Sequence, residues 1–562
     1  MTVPIIWQQY PNQPTLSEKI GKHFNLSPII GQLMLNRSIQ TLNEAQHFIH
    51  NTWTEFPQLP NQEHLMHELK QLIAKQAAIC IYGDYDVDGV TSTTMLVDIL
   101  QNTGCKVDFI VPHRFNDGYG LNMNRMNEIA RKKYDALITI DCGISNKNEI
   151  DALNQQHPAI KTLIIDHHKC PEELPNATAI VNPQLADENH PARHLCSAAL
   201  VDYLFRTSPE LCISTESYSD LAAIGLIADV MPLTKLNRWY VKKGLLAIQT
   251  SPSPAILELC IQANINHRTI CSRDIGFGIG PRLNAPGRLG DPRPAVELLL
   301  TSDTNTIKKH AQTIDQLNTK RRAIGEKIHA DINHQLSETP ELTNGSSIVC
   351  SGQFWHMGII GINASKLVNT YHKPAVVIGF DSDIARGSAR SIPGVNIYNI
   401  LKKCANTLQH FGGHSQAAGF SLNPKNILAF KDAFYHHSQH IPKTLQNKTL
   451  LLDTNLHLNS ISLDLIDELQ QLEPHGEGNP KPLFYATVNL IDGKKVGKTK
   501  THLKCRLEQD NAIIDGIGFN LGHALNTLSS PTVQIAFHIS KNNFREKVSP
   551  QIEIIDIKPY GN

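Results

Sequence analysis

Residues 78–89, AICIYGDYDVDG, join a short apolar run to three aspartates. The run 78–82 is predicted to be a buried strand, because it is continuous, apolar and rich in residues that favour β-structure. Helical periodicity extends from Gly89 to Asn102 and ends at Gly104, a typical C-cap. Parallel sheets bind ligands at the carboxyl ends of their strands, which is where the aspartates would lie.

The alternation of strands and helices continues beyond this unit. Further strands are predicted at 107–111, 136–140 and 162–165, with helices at 122–133 and 146–155. Strands that alternate with helices imply crossover connections and a mainly parallel sheet. The predicted fold class is therefore α/β, with a second α/β unit at about 346–440 and a β-rich segment at 449–560.

Acidic residues follow three of the predicted strands. Asp84, Asp86 and Asp88 follow the first strand, Asp141 the third, and Asp166-His167-His168 the fourth, while Asp229 ends an apolar helical segment. A single aspartate in such a position is usually a helix cap or a turn former. Three such motifs in order rarely arise by chance, and parallel strands would bring them to one edge of the sheet.

The combination of carboxylates and imidazoles predicts a metal site. Oxygen and nitrogen ligands suit Mn²⁺ or Mg²⁺ rather than a thiolate-bound metal. Clustered carboxylates also repel one another unless a cation neutralises them. Two such ions would activate a water and clamp a phosphodiester.

The motifs resemble those of the DHH phosphoesterase superfamily. YGDYDVDG, IDCGIS, IDHH and LIADVMP are similar to its successive motifs, and GPRLNAPGR, WHMGIIG, FGGHSQAAG and PHGEGNP resemble segments of its RecJ branch in the same order. The resemblance extends from about Ala77 to the C-terminus. It implies a metal-dependent 5′→3′ exonuclease that releases mononucleotides from single-stranded DNA in repair and recombination, with Mn²⁺ or Mg²⁺ as the cofactor.

The resemblance also implies domains and site residues. The domains would be a helical lead-in at 1–72, a DHH catalytic domain at 73–245, a helical connector at 246–345, a DHHA1 domain at 346–445 and an OB-fold-like β-barrel at 449–562. The metal ligands would be Asp84, Asp86, Asp88, Asp141, His167 and Asp229. His168 would bind metal or the scissile phosphate, and Asp166 would orient a ligand.

DNA binding requires cations for phosphates and aromatic rings for bases. Arg282 and Arg288 are predicted to clamp phosphates from a loop at 276–294 that is too rich in glycine and proline to be helical. Ser388 and Arg390 would hold the 5′ phosphate. The family pattern leads us to expect glycine where Ala389 stands, and its methyl group would narrow the approach to that phosphate.

Three further groups are candidates for DNA contacts. His414 lies in a Gly-Gly-His turn, and Arg114 and Tyr119 lie in the loop after the second strand. The barrel carries a basic run, Lys494, Lys495, Lys498 and Lys500, and such barrels bind single strands. Phe484 and Tyr485 are the nearest aromatic residues to this run.

Composition adds few constraints. The 562 residues have a formal net charge of zero, so a basic DNA footprint must be local. No apolar run approaches the ~20 residues of a membrane span, and no secretory signal is evident. The 11 cysteines lack CxxC spacing, which favours reduced thiols in a cytoplasmic protein. A monomer is the default, and a single-strand-binding protein and a helicase are family-implied partners.

Two other functions compete with this interpretation. One is a DHH phosphodiesterase that acts on short oligonucleotides, cyclic dinucleotides or pyrophosphate. The long C-terminal segment and the GPRLNAPGR motif argue against it. The other is a non-enzymatic DNA-binding or scaffold protein, which would be expected to have broken metal motifs. All of the metal motifs are complete here.

Overall fold

The N-terminal segment contains a strand as well as the predicted helices. The computed structural model describes residues 5–118, 120–526, 530–544 and 547–560. It begins with β1 (Ile5–Gln9), α1 (Pro14–Phe24), α2 (Pro28–Asn36), α3 (Leu42–His50) and α4 (Gln62–Ala74). The prediction of a helical lead-in at 1–72 did not include β1. This strand pairs with Lys448–Leu452, so its stability depends on a partner remote in sequence.

The first α/β unit is built on a parallel sheet, as predicted. Its elements are β2 (Ala78–Tyr82), α5 (Val87–Asn102), β3 (Lys106–Ile110), α6 (Met123–Arg131), β4 (Ala136–Ile140), α7 (Lys147–Gln156), β5 (Lys161–Ile165), β6 (Ala179–Val181), α8 (Ser197–Arg206), α9 (Ser219–Ala228) and α10 (Lys235–Thr250). The strand order is β3-β2-β4-β5-β6, with every pairing parallel. Apolar cores cover both faces, which explains the continuous apolar strands.

The connector is almost entirely helical. It comprises α11 (Pro254–Gln262), α12 (Ser272–Asp274), a π-helical turn (Ile275–Ile279), α13 (Gly280–Leu283), α14 (Ala285–Leu289), α15 (Arg293–Leu300), the long α16 (Thr304–Glu338) and α17 (Glu341–Asn344). The prediction of a non-helical loop at 276–294 was therefore wrong. Prolines occupy the first turns of α13, α14 and α15, where no backbone N–H is needed. Gly287 permits close packing, since an added Cβ would lie 2.5 Å from the Tyr85 carbonyl oxygen.

The second α/β unit has a mixed sheet. It contains β7 (Ile348–Gln353), α18 (Ile360–Tyr371), β8 (Ala375–Phe380), β9 (Ala385–Arg390), α19 (Ile397–Lys403), β10 (His410–Gly413), β11 (Ala417–Leu422) and α20 (Ile427–Ser438), in the strand order β10-β11-β9-β8-β7. Ala389 is fully buried in the core of this unit. Residues alternate between the two faces of a strand, so its methyl group points away from Ser388 and Arg390 and does not narrow their pocket.

The C-terminal unit is a closed barrel, as predicted. It contains β12 (Lys448–Leu452), β13 (Thr454–Asn455), α21 (Leu463–Gln470), β14 (Phe484–Val496), β15 (His502–Gln509), β16 (Ala512–Gly518), β17 (Thr532–Phe544) and β18 (Lys547–Pro559). Pairing of β14 with β17 closes it. Helices α1–α3 share the core of the barrel, where Ile30 and Leu33 belong to the same cluster as Phe484 and Phe537.

Among the described residues, no single helix is long and apolar enough to cross a bilayer. Only α10 and α11 meet the length and composition criteria, and they do so as a pair bent by 82°.

Candidate metal centre and nucleic-acid interface

The acidic motifs converge at the carboxyl edge of the parallel sheet. Three overlapping groups have ligand atoms within 4.8 Å of one another: Asp84, Asp86 and Asp141; Asp88, His167 and Asp229; and Asp141, His167 and His168. The structure thus brings together all seven residues predicted to be catalytic. Asp141 and His167 each belong to two groups, which places them at the middle of the cluster.

The first motif is positioned by the start of α5. Asp86 caps the helix, accepting a hydrogen bond from the backbone of Gly89. Asp88, two residues further along, accepts hydrogen bonds from the backbone N–H groups of Ser197 (2.6 Å) and Ala198 (3.0 Å) at the start of α8. The usual helix-capping role of an aspartate at a strand end therefore applies to Asp86. Asp84 and Asp88 do not cap α5, and both belong to the ligand groups of the cluster.

Asp141 is held in an unusual backbone conformation. It has a φ of 62°, which is costly for a residue with a side chain and is often found at functional sites. Its carboxylate accepts a hydrogen bond from Ser197 Oγ (2.9 Å) and lies 3.2 Å from Nε2 of His167. Local strain and a buried hydrogen bond together aim Asp141 at the centre of the cluster.

The two histidines have different environments. His167 Nε2 lies 3.7 Å from Asp88 and 3.6 Å from Asp229, and burial lowers the pKa of its ring, which favours the neutral form that ligates metals. Burial opposes the charge on His168, but Asp166 accepts a hydrogen bond from its Nδ1 (2.8 Å) and raises the pKa of His168 to about 9. Asp166 is itself anchored by the backbone N–H of Ile144 (3.0 Å).

The electrostatics of the cluster fit a divalent cation. Burial and the neighbouring carboxylates raise the pKa of Asp84 and of Asp229 to about 8, and raise the pKa of Asp141 well above its usual range. Such shifts mark carboxylates that lack a neutralising charge. Carboxylate oxygens with imidazole nitrogen, and no thiolate in the three groups, form a donor set suited to Mn²⁺ or Mg²⁺.

A group of arginines adjoins the acidic cluster. Arg114 lies 4.2 Å above the ring of Tyr85, and its buried Nε has no hydrogen-bond partner among the described residues. Burial, together with the charges of Arg114, Arg321 and Arg390, lowers the pKa of Arg288 to about 10. Mutually repelling, buried guanidinium groups form a strong site for an anion.

Ser388 and Arg390 meet the first turn of α18. Arg390 donates to Ser388 Oγ (3.0 Å), and a Cβ added at Gly361 would lie 2.9 Å from that oxygen and 3.2 Å from Nη2 of Arg390. Glycine at this position keeps the helix N-terminus, which favours anions, close to both side chains. The structure therefore groups the two residues as the sequence predicted.

Arg282 does not fit the predicted role. Its guanidinium donates to Asp315 (2.9 Å) and to the carbonyl oxygens of Gly278 (2.9 Å) and Gln262 (3.0 Å). These contacts tie α13 and the π-helical turn to α11 and α16, and we assign Arg282 to holding these helices together rather than to phosphate binding.

Other predicted residues lie around the cleft, together with cations that the sequence analysis missed. Burial lowers the pKa of His414, as do the charges of His168 and Lys169, so the Gly-Gly-His turn lies near these two residues. Arg321 and Lys169 were not predicted, because a single lysine or arginine on a helix or loop has no distinctive sequence signal. Tyr119 lies outside the described residues.

The barrel presents an exposed basic hairpin. Lys494, Lys495, Lys498 and Lys500 are all exposed on the β14–β15 hairpin. The two nearest aromatic residues in the sequence are engaged elsewhere: Phe484 is fully buried, and Tyr485 donates a hydrogen bond to Gln9. Phe519, which is 56% exposed and 5.5 Å from the ring of His502, is the aromatic side chain near the hairpin.

Comparisons with known proteins agree with this architecture. Family models match the DHH family N-terminal domain at 78–226, the DHHA1 domain at 344–436 and the RecJ OB domain at 452–556. The single-stranded-DNA-specific exonuclease RecJ of Haemophilus influenzae is 33% identical over 96% of this chain and 98% of its own. The corresponding RecJ of Bacillus subtilis is 31% identical over 98% of this chain and 70% of its own.

A solved structure extends the similarity to three dimensions. The crystal structure of RecJ in complex with Mn²⁺ from Thermus thermophilus has a TM-score of 0.87 and 25% identity, covering 100% of this chain and 80% of that one. Similarity at this level spans the catalytic sheet, the mixed sheet and the barrel together. The chain therefore belongs to the RecJ family of single-stranded-DNA-specific exonucleases, with DHH, DHHA1 and RecJ OB domains.

Proposed function

We propose that this protein hydrolyses single-stranded DNA from its 5′ end, releasing 5′-mononucleotides with Mn²⁺ or Mg²⁺ as the cofactor. The observation that carries the proposal is the meeting of two sites of opposite charge. The carboxylates of the acidic cluster approach the arginine site at two points: the charge of Asp84 interacts with that of Arg114, and the charge of Asp86 with that of Arg288. Such a pair of sites suits a metal-bound phosphodiester next to a second, anchored phosphate.

The roles of the residues follow from their surroundings. Divalent ions at the acidic cluster would polarise the scissile phosphodiester and activate the attacking water. Asp141 and His167 would bridge the ligand groups, since each belongs to two of them. Asp166 accepts a hydrogen bond from Nδ1 of His168 and orients its ring, so that His168 in its protonated form would stabilise negative charge on the phosphate.

The arginine site would account for the 5′→3′ direction of the proposed degradation. Arg390, Ser388 and the first turn of α18 form a pocket that would hold a terminal phosphate, with Arg288 and Arg114 alongside. A terminal phosphate has one more ionisable oxygen than an internal phosphodiester, so it benefits more from several cations. Anchoring the 5′ phosphate there would present the first phosphodiester to the metal centre.

A strand labelled at one end tests the function directly. With Mn²⁺, a 5′ label is expected to appear at once as a mononucleotide, while a 3′-labelled strand shortens gradually. Neither a chelator-treated sample nor a blunt duplex should be degraded. If the long strand persists and dinucleotides are cleaved instead, the protein is a small-substrate phosphodiesterase.

The basic hairpin is proposed to bind the strand beyond the cleft. Changing Lys498 and Lys500 to glutamate should weaken the binding of long strands and reduce its salt dependence by about one unit of slope per lysine. Phe519→Ala should weaken it by about tenfold, the value of one stacked base. Strands too short to reach the barrel should bind as before in a fluorescence anisotropy titration.

A matched control separates this effect from net charge. Lys308 and Lys309 are exposed on α16, and their change to glutamate alters the net charge equally. Equal weakening by both lysine pairs would contradict a specific role for the hairpin.

We further propose that the protein acts in the cytoplasm together with other DNA-processing proteins. All 11 cysteines are free thiols in the structure, which agrees with a reducing cytoplasm where DNA repair and recombination take place. A formal net charge of zero supplies little general attraction for DNA, so a single-strand-binding protein or a helicase would help to deliver the strand. A pull-down that recovers neither would refute the partner proposal.

A further inference from the structure

The PHGEGNP loop, residues 474–480, lies against the chain that follows Asp229. The backbone N–H of Leu233 donates a hydrogen bond to the Glu477 carbonyl oxygen (2.7 Å). Gly476 faces the same leucine, since an added Cβ would lie 2.7 Å from Leu233 Cδ1. Gly478 has a φ of 71°, and its added Cβ would lie 3.1 Å from Thr234. Close contact on this side therefore requires glycine at both positions.

The other side of the loop is tied to the barrel. Asn479 is 1% exposed and donates to the carbonyl oxygens of Leu472 (2.7 Å) and Pro474 (2.8 Å). Its side-chain oxygen accepts a hydrogen bond from Nε of Arg37 (2.7 Å). Arg37 is also paired with Asp453 (3.4 Å), which accepts a hydrogen bond from the residue preceding β14.

The connector contacts both the loop and the last turn of α9. Ser272 Oγ donates to the carbonyl oxygen of His475 (2.6 Å), which joins the loop to α12. The π-helical turn that follows packs on α9: a Cβ added at Gly276 would lie 3.6 Å from Ile227, and one added at Gly280 would lie 3.6 Å from Ala228. The last turn of α9 is thus bounded by the connector, and the chain after it by the loop.

Asp229 depends on this support more than the other carboxylates do. Asp88 and Asp141 accept direct hydrogen bonds from α8, whereas the carboxylate of Asp229 lies 3.6 Å from His167, beyond hydrogen-bond range. The next residue, Val230, has a φ of 57°, which is strained for a β-branched side chain. Hydrogen bonds from Val230 to Ile227 (3.2 Å) and from Met231 to Leu226 (3.0 Å) close this turn on α9, and the chain that leaves it is next anchored at Leu233 by the loop.

We propose that the PHGEGNP loop positions Asp229 for metal binding, with Gly478 and Asn479 as its positioning residues. Through Arg37 and Asp453, the loop also makes the geometry of a metal ligand depend on the barrel. The proposal rests on the metal centre of the proposed function but not on the identity of the substrate. Groups that orient a metal ligand typically contribute about 10- to 100-fold to metal affinity.

Calorimetric titration of the full-length protein with Mn²⁺, without DNA, tests the proposal. Gly478→Ala and Asn479→Ala are each expected to weaken Mn²⁺ binding by about tenfold. Gly394→Ala is the matched control, because Gly394 has a φ of 82° and its added Cβ would lie 3.2 Å from Leu445 in the second α/β unit. The control should lose stability by a similar amount and bind Mn²⁺ normally.

The outcomes distinguish positioning from general support. If Gly478→Ala and Gly394→Ala lower the melting temperature equally and leave the Mn²⁺ affinity unchanged, the loop is only structural and the proposal fails. The glycine pair decides the question even if Asn479→Ala does not fold. Excess Mn²⁺ should restore nuclease activity to Gly478→Ala. If the wild type degrades no DNA, the proposed function fails, while calorimetry still decides the role of the loop.

Discussion

Asp141→Asn is expected to slow strand degradation by about 1000-fold, because it removes a charge shared by two ligand groups. Asp141 belongs to the groups that contain Asp84 and His167, so its loss weakens both halves of the metal centre. A metal ion contributes several kcal/mol to the stabilisation of transition-state charge, and about 4 kcal/mol corresponds to a 1000-fold change in rate. Single-turnover degradation of a 5′-labelled strand at saturating Mn²⁺ measures the effect.

The same substitution is expected to stabilise the metal-free protein. Asp84, Asp141 and Asp229 have raised pKa values in the folded state, so the folded state binds protons more tightly than the unfolded state does. Stability in the presence of a chelator should therefore fall as the pH rises from about 4, the ordinary aspartate pKa, to about 8. Asparagine removes one repelling charge and should make this fall shallower.

Thermal unfolding with chelator and with Mn²⁺ tests whether the order of stability of the two proteins reverses when the metal binds. At pH 8 with chelator, Asp141→Asn should melt a few degrees above the wild type. With Mn²⁺ the order should reverse, since only the wild type binds the ion tightly. A variant that is destabilised in chelator and inactive would show that Asp141 supports the fold instead of binding metal.

Arg390→Ala is expected to lower kcat/KM for a 5′-phosphorylated strand by about 10- to 100-fold, the value of one or two charge-assisted hydrogen bonds. Arg390 is held by Ser388 at the first turn of α18 and carries a pKa lowered by burial and by Arg114. A strand with a 5′ hydroxyl group cannot use this contact. Its degradation should already be slow and should change little in the variant.

The comparison of the two strand ends makes the prediction specific. Measuring both proteins on both strands yields a coupling energy between Arg390 and the terminal phosphate. Arg131→Ala, which removes an exposed arginine at the end of α6, is the control for net charge. Equal losses on the phosphorylated and hydroxyl strands would assign Arg390 to the body of the strand and not to its end.

The fold class and the metal residues could be predicted because their signals are local. An apolar strand such as β2 is buried on both faces by crossover helices, so its continuous pattern carries the prediction of a parallel sheet. The rule that such strands end at one edge then places Asp84, Asp141 and His167 together. The spacing of these residues along the chain was sufficient to predict that they meet, because the course of the backbone in a parallel sheet determines where each strand ends.

The prediction of a non-helical loop at 276–294 was wrong for the opposite reason, because its structure depends on contacts that are not local. Its glycines and prolines disfavour helix in isolation, but the prolines fall in first turns and Gly287 packs against Tyr85. Tertiary packing outweighed local propensity. The same holds for β1, which needs Lys448–Leu452 as a partner before it can form a strand.

The sequence by itself determined the α/β and barrel architecture, the acidic cluster and the pairing of Ser388 with Arg390. Only the tertiary structure decided which way the remaining side chains face. It assigned Arg282 to a pairing with Asp315, buried Phe484, and exposed Phe519 beside the basic hairpin. It also placed the PHGEGNP loop behind Asp229. These contacts join residues far apart in the chain, and their energies depend on distances that no local pattern encodes.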